Sequence, residues 1–262
     1  MANILVPISN AGFDPTEAAV PWKILQSLGH SFVFATPDGT QGHADPRMLT
    51  GEGLGVFASL LRADSNGRMA YEALEESHEF RNPIPYKDID TGSFQALLLP
   101  GGHGAGMQAY LESEVLQSRV IEFFQQEKPV GAICHGVLLA ARSCPLPGRS
   151  IIFGRKTTCL PKLMELGAWA ITCMWLGNYY RTYRKTVEGE VTEFLATPLD
   201  FIKGPAGTTR DSPENLEAGF TVLDGRYLSA RWPGDAHRFG TDFARLLLPE
   251  NSRDSQVAGA HY

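Results

Sequence analysis

The chain has 262 residues, 43 % of them hydrophobic and 10 % aromatic, with 23 Lys and Arg against 29 Asp and Glu for a formal charge of −6. That apolar content is ample for a buried core and excludes global disorder. The acidic balance and the lack of any Lys/Arg-rich run argue against nucleic acid or an anionic membrane as partner, and no apolar run approaches the ~18–20 residues of a membrane span.

The opening, Asn3-Ile4-Leu5-Val6-Pro7-Ile8, enters a strand directly, without the charged and apolar regions of a signal peptide, which predicts a soluble, cytoplasmic protein. Asp14-Pro15-Thr16-Glu17 is a helix start: Asp as N-cap, Pro at the first helical position, Glu three residues after the cap. Val20, Ile24 and Leu28 continue the helical stripe to Gly29, and Phe32–Ala35 reads as the second strand. A β-α-β unit with short loops implies a parallel sheet. Residues 40–92 break the rhythm, with two modest helices around 54–62 and 67–78, as an excursion over one end of the sheet. Ala96–Leu99 is a buried strand, Ser113–Gln126 a helix, and Val130–Ile133 the next central strand, running without a linker into Cys134-His135-Gly136 and a helix. Residues 156–215 form a second excursion, rich in aromatics between 169 and 183. Phe220–Ala230 is a hairpin about Asp224-Gly225, and Asp235–Leu248 closes as a helix. The expected fold is therefore α/β, a flavodoxin-like, mostly parallel sheet sandwiched by helices. It forms a single domain over residues 1–250 with a small capping insertion, followed by a polar tail, 251–262. Exposed edge strands and the aromatic segment predict a homodimer.

In open parallel sheets, ligands sit beyond the carboxyl ends of the strands. A strand that turns into a helix at Cys134 has the form of a nucleophile elbow. It predicts a strained, exposed cysteine whose thiolate is favoured by the helix N-terminus, reactive below pH 8 ahead of Cys144, Cys159 and Cys173. The spacing of the four cysteines fits no metal knuckle, so no metal is expected. At the neighbouring strand end, Gly101, Gly102 and His103 offer backbone N–H groups that, with that of His135, suit an oxyanion.

Ala132-Ile133-Cys134-His135-Gly136, Leu99-Pro100-Gly101-Gly102-His103-Gly104 and Asp14-Pro15-Thr16-Glu17, in this order, resemble the PfpI-type proteins of the class I glutamine amidotransferase-like superfamily. Within it the likeness is strongest to the heat-shock branch of glyoxalase III-type, glutathione-independent glyoxalases and chaperones. The resemblance implies Cys134 as nucleophile, Glu17 as the carboxyl aimed at its sulfur and His135 as the adjacent histidine. Glu17 has a competing explanation as the third residue of a capping box. Many members orient the histidine with an acid some 25–32 residues after the cysteine; residues 148–159, which lead up to that window, contain none. Glu165 and Asp235 are the remaining candidates, the first also explained as surface charge and the second as an N-cap. A protease triad is therefore not expected. The implied activity is conversion of a small 2-oxoaldehyde substrate to a 2-hydroxy acid without a cofactor. A hydratase or lyase of a bulkier metabolite, and a chaperone or cysteine redox sensor, are the alternatives. Whether residues 169–183 cover the pocket or form an interface separates several of these.

Overall fold

The structure, a computed structural model, describes residues 1–249, so the expected polar tail lies outside the described residues. Among the described residues nine strands occur in chain order: β1 (Asn3–Pro7), β2 (Ala11–Phe13), β3 (Ser31–Thr36), β4 (His43–Ala44), β5 (Ile84–Pro85), β6 (Ala96–Leu99), β7 (Val130–Ile133), β8 (Thr221–Asp224) and β9 (Tyr227–Ala230). Seven of them form one sheet in the order β5-β3-β1-β6-β7-β9-β8, parallel except for the β8–β9 hairpin. β2 and β4 pair separately as a small parallel ribbon. The fold is the expected flavodoxin-like α/β architecture.

The central strands are buried along their whole length, which is why they read as continuous apolar runs rather than alternating ones. Helix Pro15–Ser27 packs between helices Ser65–Glu76 and Ala236–Leu246, while helices Glu114–Gln125 and Gly136–Arg142 pack together in a second group against β6 and β7. Residues 40–92 are more than an excursion. Helix Ser65–Glu76 lies along the first helix, and Tyr71, Leu74 and Phe80 join the main core. The helix expected around 67–78 is present as Ser65–Glu76 and buries the stripe Gly67, Ala70, Tyr71 and Leu74.

The second excursion contributes helices Lys162–Leu176 and Val187–Glu193. It is stitched to the sheet by Thr158 N–H, which donates to Ser229 Oγ at 3.0 Å, and to the first excursion by Trp175 Nε1, which donates to the Gly53 carbonyl at 2.8 Å. Trp175 also stacks on Phe57. Among the described residues, no helix is long and apolar enough to cross a membrane.

Candidate active site

The carboxyl ends of β1, β6 and β7 converge on one sulfur atom. β7 ends at Ile133, and Cys134 turns the chain with φ of +56°, a left-handed conformation rare outside glycine. Holding a cysteine there costs on the order of 1–3 kcal/mol, supplied by the surrounding packing. The turn is fixed from both sides. Cys134 N–H donates to the Ala230 carbonyl of β9 at 3.1 Å, and a side chain at Gly136 would collide with the Leu99 carbonyl of β6. The neighbouring turn is equally confined: a Cβ on Gly102 would lie 2.7 Å from Phe13 Cα.

Strain is present as expected; exposure is not. Cys134 is only 1 % exposed, and burial pushes its thiol well above the usual range. The helix that follows is short, Gly136–Arg142, and burial favours the thiol over the thiolate expected from the sequence.

Glu17 is also buried, at 2 %. Burial and the nearby carboxyl of Asp14 raise it well above the ordinary carboxylate range, which favours the protonated form. Its Oε2 accepts the Gly101 N–H at 2.8 Å. Its Oε1 has no well-aligned partner, and the remaining neighbour of the carboxyl is the Cys134 sulfur. Oε2 is occupied as an acceptor, which leaves Oε1 as the oxygen free to carry a proton. The capping explanation for Glu17 fails at its reciprocal bond. Asp14 does cap the helix, accepting from Thr16 N–H at 2.8 Å and Glu17 N–H at 3.1 Å, but its own N–H goes to the Gly101 carbonyl. The Glu17 side chain is thus released into the site.

His135 Nδ1 lies 3.5 Å from Cys134 Sγ. Burial and the adjacent His103 and Arg142 hold the ring well below its usual pKa, so it is a neutral imidazole. Its tautomer follows from Thr182. That hydroxyl donates to the His103 carbonyl at 3.3 Å, because a carbonyl can only accept, and its oxygen lies 3.4 Å from His135 Nε2. The proton is therefore on Nε2, and the Nδ1 lone pair faces the sulfur.

Neither acid candidate reaches His135. Glu165 accepts the Val187 N–H at 2.8 Å and pairs with Arg181 at 3.4 Å. It is buried, which raises it to about 7, and is not the surface charge its sequence position suggested. Asp235 is buried against Arg231 at 2.7 Å and accepts the Phe220 N–H, and its side chain does not cap the last helix. Both carboxylates are consumed by backbone and arginine partners close to them in the fold. Two of the expected oxyanion donors are engaged at rest: Gly101 N–H with Glu17, and His135 N–H with the Cys134 sulfur.

The aromatic segment covers the site. The Tyr180 ring packs edge-on against His103 with centroids 5.0 Å apart, and His103 in turn against His135 at 4.7 Å. Tyr179 is anchored by its hydroxyl to Asp45 at 2.8 Å. Beyond His103 opens a cavity of about 460 Å³, walled by apolar side chains such as Leu61, Leu160, Met164 and Ile171 and by Arg210 and Trp232. Thr182, Arg210 and Trp232 are the members of the site that sequence reasoning missed. A single threonine among tyrosines and arginines carries no local signal.

A model described as ThiJ/PfpI family-like matches residues 8–198. The chain belongs to that family. It is 24 % identical over 230 residues to a glutathione-independent glyoxalase of Schizosaccharomyces pombe, covering 87 % of this chain and 85 % of that one. It is 30 % identical over 145 residues to the DJ-1 homolog D of Arabidopsis thaliana, over 55 % of this chain but only 32 % of the plant protein. The chain thus spans about a third of that relative's length. Glyoxalase III from Candida albicans superposes with a TM-score of 0.62 at 22 % identity, covering 92 % of this chain and 95 % of that one, which supports the fold.

Proposed function

We propose that this chain is a cysteine-dependent enzyme that converts 2-oxoaldehydes to 2-hydroxy acids without glutathione. The observation that carries the reading is the placement of one sulfur between a neutral carboxyl, Glu17, and the free lone pair of His135 Nδ1. In this mechanism the Cys134 S–H proton passes to Nδ1 as sulfur adds to the aldehyde carbon, and the carbonyl oxygen takes a proton from Glu17 to give a hemithioacetal. Glu17, now a carboxylate, removes the hydrogen from that carbon. Nδ1–H gives its proton to the ketone oxygen to form the enediol, Glu17 protonates the adjacent carbon, and the hydroxyl on the sulfur-bearing carbon returns a proton to Glu17, giving a thioester. One carbon is oxidised as its neighbour is reduced, so no external oxidant is needed. Water then cleaves the thioester, and sulfur regains its proton.

The test is lactate formation from methylglyoxal. Loss of the nucleophile in Cys134→Ala lowers kcat by ~10⁴ or more, and Glu17→Gln by about 10²–10⁴, the usual worth of a positioned acid–base group. Lactate production undiminished in Cys134→Ala overturns the reading.

A bulkier substrate, the hydratase or lyase alternative included, is favoured by one observation, the apolar cavity of about 460 Å³ behind His103. That volume lies in the range of sites for drug-sized ligands rather than trioses. Phenylglyoxal turned over with a kcat/KM no better than that of methylglyoxal speaks for the small substrate.

A further inference from the structure

The sulfur and two neighbouring imidazoles form an array the reaction above does not need. Cys134 Sγ, one nitrogen of His135 and one nitrogen of His103 all lie within 4.8 Å of one another. In a four-coordinate zinc shell, sulfur and nitrogen ligands stand roughly 3.3–3.6 Å apart, so rotation of two imidazoles closes the difference. We propose that this trio binds a thiophilic divalent cation, zinc above all, and that the bound ion silences Cys134.

Four features of the site fit that role. The ligand set, one thiol and two imidazoles with a fourth position open, is a zinc-type set. The Nδ1 of His135 already faces the sulfur because Thr182 holds the opposite nitrogen, the outer-shell arrangement that orients a ligating histidine. His103 carries a buried Nδ1 with no hydrogen-bond partner. An ion needs a way in, and His103, a member of the cluster, also lines the apolar cavity.

Charge balance is local. A divalent ion on one thiolate leaves a net positive charge, and the Asp14 carboxyl acts electrostatically on Cys134. On binding, the sulfur–metal bond replaces the S–H bond, and the proton leaves to solvent. Nothing is oxidised or reduced. The ligands come from two strand ends far apart in the chain, so no sequence spacing betrays the site.

Binding is independent of the proposed carbonyl chemistry; only the loss of turnover rests on it. The experiment is titration of the chelator-stripped full chain with cobalt(II), followed by the thiolate-to-cobalt charge-transfer band and by the strong visible bands of a four-coordinate ion. A single ion per chain is expected, with the charge-transfer band lost in Cys134→Ala. The visible bands should weaken in both His103→Ala and Thr182→Val, with affinity down about 10–100-fold in the latter, as for other outer-shell partners. Zinc should displace cobalt and abolish methylglyoxal turnover, with recovery on adding chelator. A missing charge-transfer band, or one that persists in Cys134→Ala or is unchanged in His103→Ala, overturns the site. Cobalt bound as described in a protein without turnover supports the site and counts against the enzyme reading alone.

Discussion

The floor of the site and its lid are built on different principles. The floor, where β6, β7 and β9 end, is fixed by short-range backbone constraints: the left-handed Cys134, the glycine contacts beneath it, and the buried Arg231–Asp235 clamp just past β9. The lid, residues 162–194, is only partly buried. Leu163 and Met174 are 80 % and 89 % exposed, and the lid is tied to the rest of the chain by polar bonds from Trp175, Tyr179, Thr182 and Glu190 and by the buried side chains of Val187 and Val191. The floor therefore sets where the sulfur is, and the lid sets which nitrogen faces it. Stability and reactivity should separate between the two.

The largest expected effect comes from the floor. Asp235→Ala leaves the Arg231 guanidinium buried without its partner, which costs about 3–5 kcal/mol. Chemical denaturation should read that loss, while kcat of the folded fraction stays within a factor of a few. A collapse of kcat at unchanged stability would instead restore Asp235 to the catalytic site.

The lid should behave in the opposite way. Thr182→Val removes the acceptor that holds the His135 proton on Nε2 and leaves packing nearly intact. Unfolding free energy should fall by no more than ~1–1.5 kcal/mol, the worth of an ordinary hydrogen bond. By contrast, kcat should drop about 10–100-fold at unchanged KM, with Thr182→Ser recovering most of it. A variant that loses stability but not rate would mean that Thr182 is only structural.

The smallest effect sharpens how the lid is anchored. Burial raises Glu165 from an ordinary 4.5 to about 7 in the fold. A raised folded pKa means the native state holds the proton more tightly than the unfolded chain. The resulting stabilisation is complete below about pH 4.5 and is lost as pH rises to about 7. Glu165→Gln keeps the acceptor for Val187 N–H without titrating. Its stability relative to the native chain should therefore improve across that window, by thermal melts at matched ionic strength. A difference that is flat with pH would show that Arg181 fully offsets the burial.

Much of this molecule was legible in its residues. The apolar runs Ala96–Leu99 and Val130–Ile133 could only be inner strands, the Asp-Gly turn could only close a hairpin, and a strand running into Cys134-His135-Gly136 implied the elbow. These signals are local, because backbone sterics and burial of neighbouring side chains act over a few residues. Glu17 was legible as a candidate but not as a choice. Only the bond from Asp14 N–H to the Gly101 carbonyl shows that its capping duty is not reciprocated.

The three-dimensional packing decided the rest. The protonation states of Cys134, Glu17 and His135 depend on how much water the whole fold excludes, and no local pattern records that. The partner of His135 comes from Thr182, 47 positions away, on a segment without strand or helix periodicity. The acids that spacing suggested, Glu165 and Asp235, were claimed by arginines and backbone amides that only the folded chain brings within reach.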